Sequence, residues 1–346
     1  MRKHLNTLFI TLEGAYLRRD GAAVEVRHNR ETKLRVPLHN LDGIVCFGWD
    51  TTASTALMAA CAEADVSLSF HTPHGKFVAS TQSFTSGNIL LRRTQYRHAD
   101  DPSLSATIAR NLILGKLSNC RTILQRGVRD HGEKCPGKSA KLIAASDKLA
   151  HRLRQLQQST TLEEIRGIEG EAAVFYFDAF NALFTETNPA LELTGRSRRP
   201  PLDPINALLS FCYTLLMHDC RSALESAGLD SQCGFLHRDR PGRPSLALDL
   251  MEEFRPVMAD RSVLTLINRK QVTANDFETK ESGAVLLKED SRKKILMFWQ
   301  ERKQSEIMHP FLQEKTTLGM LPHLQARLLC RYLRGDLDAY PAFLLK

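Results

Sequence analysis

Several patterns that identify common enzyme classes are missing from this 346-residue sequence. Its eight cysteines include no C-x-x-C pair, which weighs against a zinc ribbon or a thioredoxin-like site. The sequence also lacks H-E-x-x-H, the signature of zincin proteases, and G-x-S-x-G, the signature of many esterases. Scattered single cysteines are typical of reduced core residues, so we expect a cytoplasmic protein.

Membrane and secretion signals are also missing. No run of about 18 apolar residues exists, and a membrane span is therefore not expected. Residues 1–7 are basic but lead directly into alternating, strand-like sequence, which predicts no signal peptide. The net charge of +8 and the pI near 9.1 favour an anionic partner, either nucleic acid or an acidic membrane face.

The spacing of apolar residues divides the chain into two parts. Residues 1 to about 85 alternate as strands do, and we predict a hairpin between residues 8–12 and 23–26 around Asp20-Gly21. Strands are also predicted at 43–47, 66–70 and 76–80, with a helix at 54–63 capped by Ser54. The exposed strand edges suit pairing with another chain.

After about residue 90 the apolar residues recur at helical spacing. The predicted helices begin near Asp101, Ala140, Thr161, Asp203 and Ser245, and the helical pattern returns between 290 and 334. We therefore predict an α+β protein of two domains, a small N-terminal β-rich domain over residues 1–88 and a larger all-α domain over 89–346.

Glu169 lies inside the helical segment Arg166-Gly167-Ile168-Glu169-Gly170. Two glycines three residues apart cost roughly 2 kcal/mol in a helix interior, so we expect another part of the structure to approach this backbone closely. With small residues nearby, the Glu169 carboxylate is either open to a ligand or simply a solvated helix residue.

His237 ends the short segment 234–237, and Arg238, Arg240 and Arg243 surround the turn that follows it. A lone histidine is more often structural or exposed than a metal ligand. Clustered guanidinium groups nevertheless favour a bound phosphate, which makes a functional role for this segment plausible.

Asp249 and Glu252 lie three residues apart, on one face of the helix predicted from Ser245. Two carboxylates this close repel each other unless a cation accompanies them. Either Arg255, three residues further on, or a metal ion can supply that charge.

A basic, proline-rich stretch, residues 195–201, precedes the Asp203 helix and carries Arg196, Arg198 and Arg199. It suits contact with a nucleic acid backbone, although an ordinary solvated loop has the same composition. Carboxylates with one imidazole suit Mg²⁺ or Mn²⁺, and guanidinium groups around them suit phosphate. The residues alone therefore indicate metal-dependent phosphodiester chemistry on nucleic acid.

Several of these segments, in this order, resemble the motifs of the CRISPR-associated adaptation integrases, the Cas1 family. The matching segments are residues 166–170, 198–210, 234–237 and 244–256, with further agreement at 260–261, 266–268 and 334–337. The likeness is strong over residues 160–275 and looser in the β-rich part. It is closest to the form found in type I-C systems.

The resemblance implies a homodimer of two-domain subunits, with dimerisation and partner contacts through the β domain. It implies a catalytic site of Glu169, His237, Glu252 and Asp249, of which the first three hold Mg²⁺ or Mn²⁺. The basic residues expected to hold DNA phosphates are Arg196, Arg198, Arg199, Arg238 and Arg243.

Members of this family join the 3′-hydroxyl ends of captured foreign DNA to the repeat of a CRISPR array by transesterification, together with a Cas2 dimer. A Cas4 nuclease is a further expected partner if the type I-C assignment holds. Two alternatives stay open: a metal-dependent nuclease on branched DNA that does not integrate, and a non-catalytic DNA-binding scaffold. The complete ligand set argues against the scaffold.

Overall fold

The computed structural model describes residues 7–41, 43–64, 66–73, 77–81, 89–131, 135–197 and 199–345. The chain divides into two units, residues 1–87 with 288–305 and residues 88–287 with 306–346. The predicted combination of a β-rich N-terminal region and a mostly helical remainder is confirmed. No described helix is both long enough and apolar enough to cross a membrane.

The secondary structure elements are numbered here in chain order. The strands are β1 Thr7–Ile10, β2 Tyr16–Asp20, β3 Ala23–His28, β4 Glu31–Pro37, β5 Gly43–Phe47, β6 Thr52–Ala53, β7 Ser67–His71, β8 Phe77–Thr81, β9 Phe277–Thr279, β10 Val285–Leu287, β11 Glu306–Met308 and β12 Lys315–Thr317. The helices are α1 Thr55–Glu63, α2 Ile89–Asp100, α3 Pro102–His131, α4 Pro136–Gln158, α5 Leu162–Asp178, α6 Pro204–Ser226, α7 Ser245–Met251, α8 Arg261–Asn268, α9 Glu289–Lys303 and α10 Leu321–Leu333.

The first unit contains two four-stranded sheets, with strand orders β1-β5-β7-β8 and β4-β3-β2-β6. Strands β1, β5 and β7 are parallel, and β8 is antiparallel to β7. Leu17, Ile44, Leu57 and Leu68, which come from both sheets and from α1, are fully buried in one hydrophobic core. The predicted cap of α1 is confirmed, because the side chain of Ser54 accepts a hydrogen bond from the backbone of Leu57.

A hairpin turns at the predicted Asp20-Gly21, but the strand predicted at residues 8–12 is not part of it. Gly21, at φ +60°, turns the chain between β2 and β3, which pair antiparallel from Asp20↔Ala23 to Tyr16↔Arg27. Residues 7–10 instead pair in parallel with residues 43–46. The Asp-Gly signal located the turn, whereas apolar alternation identifies a strand without specifying its partner.

The second unit is built around α3, which packs against α4 and α5. The apolar face predicted for this helix, at Ile108, Leu112, Ile113, Leu117 and Ile123, is buried as expected. Helix α4 begins four residues before the predicted start at Ala140, since Pro136 suits the first turn of a helix.

The predicted boundaries of α6 are confirmed. The side chain of Asp203 accepts a hydrogen bond from the backbone of Asn206 at 2.7 Å, and Pro204 occupies the first turn. After the helix, Gly228 has φ +84°, a left-handed conformation that glycine adopts without strain. This cap directs the chain into the segment that carries His237.

The predicted helical stretch from 290 to 334 is only partly helical. It holds α9 and α10, but β11 and β12 form a short antiparallel hairpin between them. Near Pro256 the predicted break is present, as a π-helical turn over Arg255–Asp260 that follows the end of α7.

Residues 340–345, here called the C-terminal segment, pack behind the turn that follows α7. Tyr340, Phe343 and Leu345 are buried. The side chain of Asn119 on α3 donates hydrogen bonds to the carbonyls of Glu253 at 2.8 Å and Phe343 at 2.9 Å, and it accepts one from the backbone of Leu345. An added Cβ at Gly115 would lie 3.2 Å from Ala342, so glycine lets this segment approach α3.

Candidate metal centre

Two glutamates from different parts of the chain meet at one buried lysine. Glu169 on α5 and Glu252, just after α7, both contact the ammonium group of Lys116 on α3. Oε2 of Glu252 lies 2.7 Å from Nζ of Lys116, and Arg255 places Nη2 2.9 Å from Oε1 of the same carboxylate. Helix packing therefore brings the predicted ligands Glu169 and Glu252 to one cation position.

The charges at this position are fixed by mutual attraction. Burial raises the pKa of Glu252, but Arg255, Lys116 and His237 outweigh that effect and bring it to about 2. Burial disfavours the charged form of Lys116 too and so lowers its pKa, but the two glutamates raise that pKa above its ordinary value. At neutral pH the Glu252 carboxylate is therefore ionised and the ammonium group stays protonated.

One oxygen of Glu252 remains available to a further cation. Its Oε2 atom is buried, and its described partner is the ammonium group of Lys116 at 2.7 Å. A carboxylate oxygen has two lone pairs, so one cation leaves the second lone pair for a hard metal ion.

His237 is held in one orientation by Asp249 on α7. The backbone N–H groups of Phe235, Leu236 and His237 all donate to the buried Asp249 carboxylate, at 2.6, 2.9 and 3.0 Å. The ring Nδ1 of His237 lies 2.6 Å from Oδ1 of the same carboxylate. Because the carboxylate accepts this hydrogen bond, Nδ1 is the donor, and Nε2 is the ring nitrogen that would bind a metal.

Asp249 was predicted as a member of the catalytic set, and in the structure its carboxylate holds His237 in position. Among the described residues, the hydrogen bonds of its carboxylate all come from residues 235–237. Gly234 makes this packing possible, since an added Cβ would lie 2.8 Å from Cβ of Ser245 and 2.9 Å from Oδ2 of Asp249. A carboxylate that orients a ligating histidine supports a metal without touching it.

Arg166 joins the histidine segment to the helix that carries Glu169. Its Nε and Nη2 atoms donate to the carbonyl of Leu236 at 2.9 and 2.5 Å. One residue thus fixes the distance between α5 and residues 234–237. The ion pair and hydrogen bonds around Glu169, Glu252 and His237 consequently belong to one connected framework.

The close backbone approach expected at Gly167 and Gly170 is wrong for the part of the chain that the structure describes. An added Cβ at either glycine would meet no described atom within 4 Å. The two residues instead leave the surface of α5 open beside Glu169, whose side chain is 26% exposed. The carboxylate is therefore accessible to a ligand from outside.

The predicted DNA-binding arginines occupy different environments, and Arg198 lies outside the described residues. Arg196 donates to the side chain of Asn206 and to the carbonyl of Ser197, and its guanidinium lies over Phe177 and Tyr213 at 5.5 and 5.3 Å. These contacts hold the loop before α6 in place. Arg196 thus has a structural role in this conformation.

The other cations form a surface that faces solvent. Arg199 and Arg240 are exposed and Arg243 is partly buried. Burial lowers the pKa of Arg243, repulsion from Arg240 and Arg199 lowers it further, and Asp249 acts in the other direction. Arg238 is 74% exposed, with a long 3.8 Å contact to Glu163. Clustered cations of this kind gain most from an anion that lies between them.

An open cleft of about 570 Å³ lies beside this surface. Residues that line it include Tyr96, Arg166, Asp230, His237, Arg238 and Arg240. The hydroxyl of Tyr96 donates to Asp230 at 2.9 Å, which fixes the aromatic ring in the wall. The cleft therefore leads from the arginines to His237.

The residues fit a divalent metal ion, although Lys116 occupies the position between the two glutamates. Among the described residues, no three His, Cys, Asp or Glu side chains already form a metal cluster. The donor set is nevertheless suitable, because two carboxylates and one imidazole nitrogen suit Mg²⁺ or Mn²⁺. The second lone pair on Oε2 of Glu252 supplies a structural reason.

Sequence reasoning missed Lys116, although a signal was present. Its position falls between Ile113 and Leu117, on the apolar face of α3. A lysine on a buried helical face must have anionic partners, because an unpaired buried charge is very costly. The partners come from other helices, and nothing local to α3 identifies them.

Residues 132–139 also match G-x-x-x-x-G-K-[ST], which binds phosphate when it joins a strand to a helix. Here the pattern begins after α3 and ends in the first turn of α4, and residues 132–134 lie outside the described part. Nζ of Lys138 donates to the carbonyl of Phe184 at 2.7 Å. Without a preceding strand, and with its lysine engaged, the segment lacks the context of a phosphate loop.

Comparison with known proteins connects this geometry to a family. The profile of the family described as "CRISPR associated protein Cas1" matches residues 8–301. The chain belongs to the Cas1 family. A Cas1 relative from Chlorobaculum tepidum, named a CRISPR-associated endonuclease, is 54% identical over 99% of both chains. A Cas1 relative from Rhodospirillum rubrum with the same type of name is 51% identical over 100% of both.

Solved structures share the fold at lower sequence identity. A Cas1 protein from Thermotoga maritima superposes with a TM-score of 0.80 at 20% identity, over 97% of this chain and 99% of that one. A casposase bound to an integration product gives a TM-score of 0.83 at 22% identity, over 99% and 94%. The mixture of a β-rich region and a helical part is therefore that of known Cas1 structures.

Proposed function

We propose that this chain is a divalent-metal-dependent DNA endonuclease and integrase that joins captured foreign DNA to a CRISPR repeat. The observation that carries the proposal is the convergence of Glu169 and Glu252 on one cation position. His237 is held by Asp249 through Nδ1, and Arg166 ties its segment to the helix of Glu169, so its Nε2 would be the third ligand.

Metal-dependent joining needs no covalent protein intermediate. A Mg²⁺ or Mn²⁺ ion held by Glu169, His237 and Glu252 would polarise a phosphate and stabilise charge on the entering and leaving oxygens. The 3′-oxygen of the incoming strand forms a bond to phosphorus while the bond to another 3′-oxygen breaks. One phosphodiester replaces another, so the exchange requires no nucleotide cofactor.

The chain's own residues position the two DNA strands in this proposal. Arg199, Arg240 and Arg243 would hold backbone phosphates at the solvent-facing surface, where their mutual repulsion is relieved by an anion. The cleft that contains Arg166, Arg238 and His237 would admit a DNA end. Burial of Glu252 and Arg255 keeps bulk water from screening their charges at the reacting phosphate.

Partners of the relatives support the proposed assembly. One structural neighbour, with a TM-score of 0.82 at 21% identity, belongs to a "Cas6-RT-Cas1–Cas2 complex". A relative from Geobacter sulfurreducens, 34% identical over 98% of this chain, is a fusion of a Cas4 exonuclease and a Cas1 endonuclease. We propose a homodimer that acts with a Cas2 dimer on double-stranded DNA, and with a Cas4 nuclease if the type I-C assignment holds.

The test is a strand-joining assay with purified protein, its Cas2 partner, Mn²⁺, a labelled short duplex and a supercoiled plasmid that contains the repeat. The parent should attach label to the plasmid, and chelation of Mn²⁺ should abolish the product. His237→Ala should lose the activity, because the site loses one of three ligands. His151→Ala, at an exposed position on α4, is the matched control and should keep it.

The products distinguish the alternatives. Cleavage of branched DNA without joined product would replace integration by nuclease activity. DNA binding without either product would favour the non-catalytic scaffold. Equal joining by His237→Ala and the parent would show that the site is misplaced.

A further inference from the structure

Lys116 differs from an ordinary surface partner of two glutamates. Its ammonium group is buried, contacts Glu169, and lies 2.7 Å from Oε2 of Glu252. Neighbouring positions Ile113 and Leu117 on α3 are also buried, so the side chain crosses an apolar surface to reach the carboxylates. The geometry is that of a cation held at the centre of a ligand set.

The local charges balance only when the ammonium group is present. Glu169 and Glu252 supply two negative charges, and Lys116 and Arg255 supply two positive charges. Without the lysine, the buried Glu252 carboxylate would keep Arg255, whereas the neighbouring Glu169 carboxylate would lose the cation it pairs with. Such an arrangement is costly, because like charges in a region of low polarity repel strongly.

The two cations are not equivalent. Arg255 is held by its ion pair to Glu252 and by its guanidinium, which lies 5.1 Å from the centre of the Tyr213 ring. Lys116 places a single charge at the end of four flexible methylene groups, and its described contacts are only with the two carboxylates. Lys116 is therefore the cation that can leave the position without dismantling its surroundings.

We propose that Lys116 is the resident cation of the metal-free site, holding Glu169 and Glu252 together and giving way when a divalent ion binds. This inference rests on the proposed metal-dependent function. It makes Lys116 a positioning residue that competes with the metal for the same oxygens. The parent protein should consequently bind Mn²⁺ more weakly than its ligand set would allow.

The experiment measures Mn²⁺ affinity of the parent, Lys116→Met and Lys116→Gln by electron paramagnetic resonance, in the absence of DNA. We expect Lys116→Met to bind Mn²⁺ roughly tenfold or more tightly than the parent, because the competing charge is gone. In EDTA the same variant should unfold at a lower temperature, since its carboxylates repel, and Mn²⁺ should raise that temperature by more than in the parent.

Lys116→Gln and an added variant, Glu169→Gln, show whether the lysine's charge is responsible. Lys116→Gln keeps hydrogen-bond donors without the charge, so it should also bind Mn²⁺ more tightly, and it carries the test if Lys116→Met does not fold. Glu169→Gln removes a ligand and should weaken Mn²⁺ binding. A lysine with a merely structural role would not improve metal affinity when it is removed.

The outcomes separate this inference from the proposed function. Unchanged or weaker Mn²⁺ binding in both lysine variants overturns the inference, and joining activity in the parent would then leave the proposed function intact. Tighter binding in the variants, together with no strand joining by the parent, would support the resident cation and overturn integration. Absence of Mn²⁺ binding in all the proteins would overturn both.

Discussion

Glu252 and Glu253 are adjacent in the chain, but their carboxyl groups ionise at very different pH. The surrounding cations keep Glu252 ionised, with a pKa of about 2. Burial raises the pKa of Glu253 to about 8, although hydrogen bonds from Phe343, Tyr340 and Gln325 act in the other direction. Glu253 is therefore largely protonated at neutral pH, and it binds the C-terminal segment as a neutral acid.

We predict a pH-dependent stability that Glu253 controls. In the unfolded chain this residue ionises near pH 4.5, whereas in the folded protein it does so near pH 8. The folded state thus holds an extra proton between these values, and the free energy of unfolding should fall as pH rises, by up to about 1.4 kcal/mol per pH unit. Glu253→Gln mimics the protonated acid and should remove this slope.

Urea unfolding at several values between pH 5 and pH 8 measures the effect. Glu171→Gln, at an exposed position on α5, is the control and should retain the slope of the parent. Identical pH dependence in Glu253→Gln and the parent would show that Glu253 is ionised throughout this range.

At the scale of secondary structure elements, glycines separate sites of close packing from open surface. We predict that Gly234→Ala destabilises the protein by about 1–3 kcal/mol, because the added methyl group would collide with Ser245 and Asp249. It should also weaken Mn²⁺ binding, since the collision moves the segment that ends in His237. Thermal unfolding and Mn²⁺ titration measure the two effects.

Gly167→Ala is the matched control for this change. This position lies within α5 and an added methyl group would meet no described atom within 4 Å, so alanine should raise stability by about 0.5–1 kcal/mol. Destabilisation by Gly167→Ala, or none by Gly234→Ala, would contradict the packing described for these elements.

Short sequence patterns correctly predicted the features that depend on residues close together in the chain. The caps at Ser54 and Asp203, the Asp20-Gly21 turn and the apolar face of α3 are all present. The strand partner of residues 8–12 was wrong because pairing depends on distant residues. The prediction that another backbone approaches Gly167 closely was also wrong, since a helical glycine can equally border open space.

The site was predictable to the extent that family motifs name its residues. Glu169, His237 and Glu252 were identified from the sequence, and the structure places the two glutamates together. The roles of Lys116 and Arg166 depend on how α3 and α5 pack against other segments. Spacing along one helix cannot reveal a partner on another, so Lys116 and the role of Arg166 were not predicted from the sequence.

At the scale of the whole molecule, the net charge of +8 should appear in the salt dependence of DNA binding. We predict that replacing Arg199, Arg240 and Arg243 by glutamine lowers affinity and makes the slope of log affinity against log salt shallower, by up to about three phosphate contacts. Fluorescence anisotropy with a labelled duplex over about 50 to 300 mM salt measures both quantities.

A control of equal charge loss distinguishes a local site from general attraction. Lys270, Lys280 and Lys293 each pair with an exposed glutamate, and the triple glutamine variant removes the same total charge. It should change the slope much less than the arginine variant does. Equal effects of the two variants would mean that DNA is attracted by overall charge and not by the arginine surface.

The C-terminal segment has a practical consequence for handling this protein. Residues 334–339, which join it to α10, are mostly exposed, whereas Tyr340 and Phe343 beyond them are buried against Glu253. A single proteolytic nick in this stretch would separate Tyr340 and Phe343, two of the three donors to Glu253, from the rest of the chain while leaving the helices continuous. Such a sample would still look folded by circular dichroism, so intact mass is the quality check that any inactive preparation needs first.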